Sequence, residues 1–128
     1  MNPLTSEWIE KAEGDYASAR RERRARVHLN HDAACFHAQQ CAEKYLKAAL
    51  EEAGIAFGRT HDLESLLDLC LPAYPAWAML RPQLISLSVY AVAFRYPGSS
   101  ATAAQAAAAV QTVRNLRTRF RDTLALPL

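Results

Sequence analysis

The sequence has few of the features that mark several common classes of protein. It holds three cysteines, Cys35, Cys41 and Cys70, in 128 residues. This odd number without paired metal-ligand spacing argues against a disulfide framework or a zinc site, and favours small apolar core residues in a reducing compartment. No stretch approaches the roughly 18 uncharged apolar residues of a membrane span, and the N-terminus lacks the pattern of a secretion signal. We therefore expect a cytoplasmic protein that binds no metal or other cofactor and does not insert into a membrane.

The excess of positive charge is also small. The formal net charge is +2, whereas nucleic-acid-binding domains usually show a pI above about 9 with the basic residues on one face. The distribution of positive charge along the chain is more informative than the net charge. A cluster of arginines precedes two histidines: Arg20, Arg21, Arg23, Arg24 and Arg26 come before His28 and His31. Phosphate is the natural ligand of such a cluster. The alternative is that these cations complement a helix dipole and keep a loop soluble.

Strand-like alternation of apolar and polar residues is absent, and helical periodicity takes its place. A chain of 128 residues that is 51% apolar can bury one core, so we expect one domain over residues 1–128. Four long helical segments, with a short one between the second and third, predict an all-α antiparallel up-and-down four-helix bundle with an additional short helix.

The segment from Asp32 to Gly54 is predicted to be the central helix. One face carries small or apolar residues at steps of three and four, which indicates packing against two neighbours; these are Ala34, Ala38, Cys41, Tyr45 and Ala48, with Cys35, Ala42, Leu46 and Ala49 beside them. The opposite side carries long polar residues at the same spacing, namely His37, Gln40, Lys44, Lys47 and Glu51. Such a row either faces water or lines a cleft between helices.

Residues that cap helices predict where the other helices begin. Thr5 or Ser6 is expected to start the first helix, Thr60 the short one and Ser99 or Ser100 the last. Charged residues on these helices are expected to face water, including Glu13 on the first helix and, on the last, Arg114, Arg117, Arg119 and Arg121. Arg117 is also an alternative to Leu116 on the inward face of the last helix.

Residues that break helices predict the remaining boundaries. Gly54 is expected to end the central helix in the left-handed conformation. The prolines Pro72, Pro75 and Pro82 predict a separate turn or a kinked helix start between Ala73 and Arg81.

Four blocks carry a family resemblance: SEWIEKAEGDYASA, CFHAQQCAEKYLKAALEEAG, RTHDLESLL and FRYPG. In their order and spacing they resemble the HEPN domain, the higher eukaryote and prokaryote nucleotide-binding family, over nearly the whole chain. The resemblance implies an all-α up-and-down bundle with a short extra helix, usually a homodimer. It also implies frequent pairing with a minimal nucleotidyltransferase, as a toxin–antitoxin-like or regulatory pair, and many similar proteins are metal-independent ribonucleases.

The ribonuclease branch of the family that the chain resembles uses an arginine followed a few residues later by a histidine, brought together across a dimer interface. Histidine transfers protons near neutral pH, and arginine stabilises the negative charge that develops on the phosphate. The corresponding arginine here is Arg95, and no histidine follows it. The arginine-rich turn matches the spacing from Arg23 to His28 and from Arg26 to His31, but such a turn produces matches readily.

Two functions are compatible with these residues. The first is a non-catalytic HEPN module that forms a homodimer, binds a nucleotide or an RNA phosphate and partners a minimal nucleotidyltransferase. The second is a metal-independent ribonuclease with displaced catalytic residues. The missing histidine favours the first, and an enzyme is therefore not expected.

Polar residues of the matching blocks form the candidate nucleotide-binding set. Lysine and arginine would hold phosphates, tyrosine could stack on a base, and a glutamine amide could orient it. The set is Gln40, Lys44, Lys47, His61, Asp62, Arg95 and Tyr96. Structural roles compete at each position: Asp62 can cap a helix, the two lysines can pair with Glu43 and Glu51, and Tyr96 can simply end a helix.

Overall fold

The chain folds into helices joined by short loops. A computed structural model describes residues 1–94 and 96–128, without the side chains of Ala91 and Val92. The elements in chain order are α1 (Pro3–Arg24), α2 (His31–Ala53), α3 (Leu63–Cys70), a 3-10 helix (Pro75–Leu80), α4 (Arg81–Ala93) and α5 (Ala103–Thr123). The described residues contain no strand, which confirms the predicted all-α class. None of the helices within these ranges is both long enough and apolar enough to cross a lipid bilayer.

Helix α2 lies at the centre and contacts each of the other four α-helices. Its predicted apolar face is buried without exception, from Ala34 and Ala38 through Tyr45 to Ala49. The distance between packed helices depends on the side chains at the contact, and alanines permit a close approach. The prediction of a central core helix is confirmed.

The predicted helix starts are wrong in detail. Asn2 caps α1 by accepting a hydrogen bond from the backbone N–H of Thr5 at 2.8 Å. Asn30 caps α2, and Asp62, not Thr60, caps α3. Several polar residues lie within one turn of each of these starts, and any of them can satisfy free backbone N–H groups. The choice among them depends on where the apolar face first meets the core.

At the start of α5, too, the capping residue differs from the predicted one. Thr102, rather than Ser99 or Ser100, accepts from the backbone N–H of Gln105 at 3.1 Å. The Gln105 side chain in turn accepts from the Thr102 backbone N–H at 2.9 Å, so the two residues form a reciprocal capping box. This second hydrogen bond favours Thr102 over the preceding serines.

The predicted helix breaks are confirmed. Gly54 follows α2 with a φ of +70°, which glycine adopts without steric cost, and its N–H bonds the carbonyls at the end of the helix. The separate 3-10 helix Pro75–Leu80 occupies the segment predicted between Ala73 and Arg81. On α4, Leu84 and Leu87, three residues apart on one helix face, are fully buried.

Four aromatic rings in contact join three elements. Tyr45 of α2 stacks on Phe120 of α5 with ring centroids 5.6 Å apart. Phe120 meets Trp77 of the 3-10 helix edge to face at 5.0 Å, and Trp77 stacks on Tyr74 at 4.5 Å. The Trp77 indole N–H donates to Thr123 Oγ1 at 3.1 Å, so the polar edge of this buried ring is satisfied. Phe120 is therefore the residue through which α5 and the 3-10 helix meet α2.

Phe120→Ala is expected to lower the free energy of unfolding by about 3–5 kcal/mol, because it removes a fully buried ring and leaves a cavity between its partners. Urea unfolding followed by circular dichroism measures the change. Phe36 is 43% exposed, and Phe36→Ala is the matched control with an expected cost of about 0.5 kcal/mol. Equal costs for the two variants would contradict the central role of Phe120.

Candidate functional site

A buried carboxylate, Glu43 of α2, is the centre of a polar cluster. Its side chain is 3% exposed and accepts from Lys47 Nζ at 3.1 Å. Gln39 Nε2 and Gln40 Nε2 each donate to Oε1 at 3.3 Å, and His61 Nδ1 lies 3.1 Å from Oε2. A buried charge is tolerated only when it is paired and its oxygens are hydrogen-bonded, and this arrangement meets both conditions.

The imidazole of His61 is held by this carboxylate and is otherwise open to solvent. The side chain is 75% exposed, and its backbone carbonyl accepts from Gln39 Nε2 at 3.2 Å. An ionised carboxylate can only accept hydrogen bonds, so Nδ1 carries the hydrogen that points at Glu43. The other ring nitrogen, Nε2, is then free to accept a proton or, once protonated, to donate to an anion.

The two predicted phosphate-binding lysines both contact carboxylates. Lys47 is buried, pairs with Glu43, and places Nζ 5.4 Å from the centre of the Trp8 ring. Lys44 pairs with Asp15 of α1, whose other oxygen contacts His37 Nδ1 at 2.8 Å. The side chain of Lys44 is 23% exposed, so it is the more accessible of the two. Any phosphate at either lysine must compete with a carboxylate already in place.

The remaining predicted site residues are in different surroundings. Asp62 caps α3 by accepting from the Ser65 backbone N–H at 3.3 Å, which is the structural role weighed for it from sequence. Tyr96 is 69% exposed after the end of α4, and Arg95 lies outside the described residues. The structure therefore brings Gln40, Lys47 and His61 together around Glu43, and places Lys44 with Asp15.

Sequence reasoning did not include Glu43, Gln39 or Asp15 in the site. Glu43 and Lys47 are four residues apart on a helix, a spacing that brings opposite charges together. From sequence, this pairing was considered only as a structural role that competes with ligand binding by Lys47. Asp15 is 9% exposed and belongs to a different helix from its partners, so no local pattern pairs it with Lys44. Only the packing of α1 on α2 does so.

A second network joins α1 to α5. Arg117 donates two hydrogen bonds to Glu13, at 2.7 and 2.6 Å. Tyr45 Oη donates to Glu13 Oε2 at 2.6 Å and accepts from Arg121 Nη1 at 3.0 Å. The expectation that Glu13 and these arginines simply face water is wrong, because helix packing brings them together and only 18% of the Arg117 side chain is exposed.

This network sets the ionisation of Glu13. Burial raises its pKa, but the hydrogen bonds from Arg117 and Tyr45, with the positive charges of Arg117 and Arg121, outweigh burial and hold the pKa below the ordinary 4.5. Burial together with the hydrogen bond to Glu13 raises the pKa of the Tyr45 phenol. Glu13 is thus a structural anion, and Arg117 is its counterion.

A family model described as "HEPN domain" matches residues 5–122. The chain belongs to the HEPN domain family. The match includes all four blocks that carry the resemblance, and it runs from the first turn of α1 to the last turn of α5. No curated protein and no solved structure gives a significant match to the chain.

The cysteines of this HEPN domain are buried and free. Burial, with a smaller effect from Asp32, raises the pKa of Cys35 to about 11, and burial raises that of Cys70 to about 12. Burial likewise raises the pKa of Cys41 well above its ordinary value. The thiolate is the reactive form, so these thiols pack as apolar groups. In the described part of the HEPN domain, no three His, Cys, Asp or Glu side chains are grouped to hold a metal ion.

Glu13→Gln is expected to lower the free energy of unfolding at pH 7 by about 1.5–3 kcal/mol, because it replaces charged hydrogen bonds with neutral ones. The pKa of Glu13 is lower in the folded chain than its ordinary 4.5, so its stabilisation is present above about pH 4.5 and is lost as the pH falls through the folded pKa. Urea unfolding of wild type and variant at pH 7 and at about pH 2 measures both effects.

The difference between wild type and Glu13→Gln should therefore shrink at low pH. Glu10 is exposed on the same helix, and Glu10→Gln is the control, with an expected change of about 0.5 kcal/mol or less. A difference for Glu13→Gln that does not depend on pH would contradict a charged role for Glu13.

Proposed function

We propose that this HEPN domain is a non-catalytic module that binds nucleotide or RNA phosphate as a homodimer. The observation that carries the non-catalytic part is that His61 is the last histidine of the chain. Acid–base help of the histidine type contributes about a hundred- to ten-thousandfold to a rate. Without such a group after Arg95, the expected arginine can hold a phosphate but has no partner there to move a proton.

The Glu43 cluster supports weak phosphate binding. His61 presents Nε2 to solvent, and Gln40 is half-buried beside the same carboxylate. A phosphate oxygen could accept from the protonated imidazole, and Lys44 could turn from Asp15 to the ligand. Because both predicted lysines are already neutralised, binding requires exchange of partners and is expected to be weak.

An exposed apolar stripe on α4 supports a homodimer. Ile85 and Val89, one turn apart, are 39% and 57% exposed. Residues four apart share one helix face, so the two side chains can pair with their copies across a two-fold axis. The partnership with a minimal nucleotidyltransferase rests on family membership, and so do the toxin–antitoxin-like role and the cytoplasmic location. A reading frame for such an enzyme beside this one would support the pairing.

One observation favours the alternative, a metal-independent ribonuclease with displaced catalytic residues. An exposed imidazole oriented by a buried carboxylate is the arrangement of a general base and its orienting group, and His61 with Glu43 provides it. A ribonuclease would also need a free cation to stabilise the phosphate, and Lys47, which contacts the same carboxylate, is buried against Glu43. The non-catalytic function is therefore preferred.

A labelled single-stranded RNA separates the two functions. The wild type is expected to bind it or ATP weakly and to leave the RNA intact in both EDTA and magnesium. His61→Ala should weaken ATP binding about fivefold, the equivalent of one lost hydrogen bond of about 1 kcal/mol. Fluorescence anisotropy and gel analysis are the measurements.

His28 is exposed in the loop after α1, and His28→Ala is the matched control that should change neither readout. RNA cleavage that His61→Ala loses and His28→Ala keeps would establish the ribonuclease instead. Unaltered ATP affinity in folded His61→Ala would remove His61 from the binding site.

The dimer has its own test. Light scattering at micromolar concentration should give twice the 14.2 kDa mass of the chain. The Ile85→Glu, Val89→Glu double variant should give the monomer mass, because four like charges would meet across the axis. Val27, 71% exposed in a loop, supplies the control Val27→Glu. A monomeric wild type would refute the homodimer.

A further inference from the structure

Arginines line two adjoining grooves at the C-terminal half of α1. The first, of about 140 Å³, lies between α1 and α5 and is lined by Arg20, Arg23, Arg24 and Arg114, among others. The second, of about 480 Å³ and more open, is lined in part by Arg20, Arg21 and Arg24. Arg20 and Arg24 belong to both, so the five arginines form one continuous surface, the arginine groove.

Among the described residues, the arginines of the groove form no ion pair with a carboxylate. Within the described part of the chain, the ion pairs of arginine join Arg81 to Glu64 and Asp68, and Arg117 and Arg121 to Glu13. No ion pair there involves an arginine of the groove. This contrasts with Arg117, which lies one turn from Arg114 on α5 and is neutralised by Glu13.

Tyr16 positions two of these arginines without neutralising them. Its ring lies 5.5 Å from the guanidinium carbon of Arg20, a cation–π contact. Its hydroxyl accepts from Arg114 Nε at 3.3 Å. Tyr16 is only 8% exposed, so it is a fixed support, and it holds one arginine from each side of the groove.

The helix dipole accounts for only part of this cluster. Arg21, Arg23 and Arg24 are in the last turn of α1 and can complement its negative end. Arg114 lies in the middle of α5, where the dipole has no such effect. A groove between two helices, lined by cations from both, is better explained by an anionic ligand.

We propose that the arginine groove binds the sugar–phosphate backbone of single-stranded RNA. Guanidinium groups match phosphate geometry with paired donors. The groove between α1 and α5, of about 140 Å³, is smaller than the roughly 300–1,000 Å³ of a typical small-molecule pocket, so it accommodates a phosphate group rather than a whole nucleotide. The more open groove beside it continues the same charge, which suits a polymer. The choice of ligand rests on the proposed function, whereas the residues are distinct from the Glu43 cluster.

The test uses an unstructured RNA of about 12 nucleotides, within the range that single-strand sites cover. In the triple variant Arg23→Gln, Arg24→Gln, Arg114→Gln, affinity measured by fluorescence anisotropy should fall tenfold or more. The slope of log affinity against log salt should become shallower by about 2 for three lost phosphate contacts. The substituted residues are exposed, so the melting temperature should stay near that of the wild type.

A second triple variant, Lys11→Gln, Arg59→Gln, Arg119→Gln, removes the same charge from exposed residues outside the groove. It should change RNA affinity less than threefold. Equal losses in the two variants would overturn the proposal, as would a wild type that does not bind the RNA. Displacement of the RNA by polyglutamate at equal charge would also overturn it, in favour of an acidic protein segment.

His61→Ala tells failure of this inference from failure of the proposed function. If His61→Ala keeps its RNA affinity and the triple variant Arg23→Gln, Arg24→Gln, Arg114→Gln loses it, the result supports the arginine groove. This holds whether or not His61→Ala changes ATP binding. If His61→Ala loses RNA affinity and the groove variant keeps it, the arginine groove is overturned as the RNA site, and the result supports binding at the Glu43 cluster.

Discussion

Pairing of buried charge on α2 is the constraint on which the rest of the structure depends. A central helix contacts neighbours on most of its surface, so the polar residues that it carries cannot all reach water. Glu43 and Lys47 are therefore buried together, and Lys44 meets Asp15 from α1. An unpaired charge at such positions would cost several kcal/mol. The positions of the charged side chains in the candidate site are therefore explained by their pairing with one another, without any ligand.

Patterns within one helix were enough to predict the all-α class and several features of single helices. The apolar face of α2, the left-handed Gly54 and the break before α4 depend on neighbours close in sequence, and each is found where it was predicted. Caps were predicted less well because several polar residues compete within a turn. The site depends on distances between helices: Asp15 and Lys44 are 29 residues apart, and no periodicity within either helix pairs them.

The surroundings of the arginines of α5 also could not be predicted from patterns within one helix. Arg114 and Arg117 are three residues apart and have the same intrinsic chemistry, yet Arg117 is neutralised by Glu13 and Arg114 contacts the hydroxyl of Tyr16. From sequence, both were expected to be solvated. The difference arises on α1: Tyr16 contacts both arginines, with its ring 4.8 Å from the Arg117 guanidinium carbon, whereas the carboxylate of Glu13 pairs with Arg117. Of these two arginines, only Arg117 forms an ion pair among the described residues.

The contact between Glu13 and Arg117 also has a consequence for the order of folding. These residues are separated by 104 positions, whereas α1 and α2 are joined by a short loop and share the most extensive contact in the fold. Closing a long loop costs more chain entropy than closing a short one, so contacts between near neighbours in sequence form at lower cost. We expect the α1 and α2 pair to form first and α5 to dock on it afterwards. The bridge from Glu13 to Arg117 would then complete the native state rather than nucleate it, and α5 would be the first helix to detach when the protein opens locally.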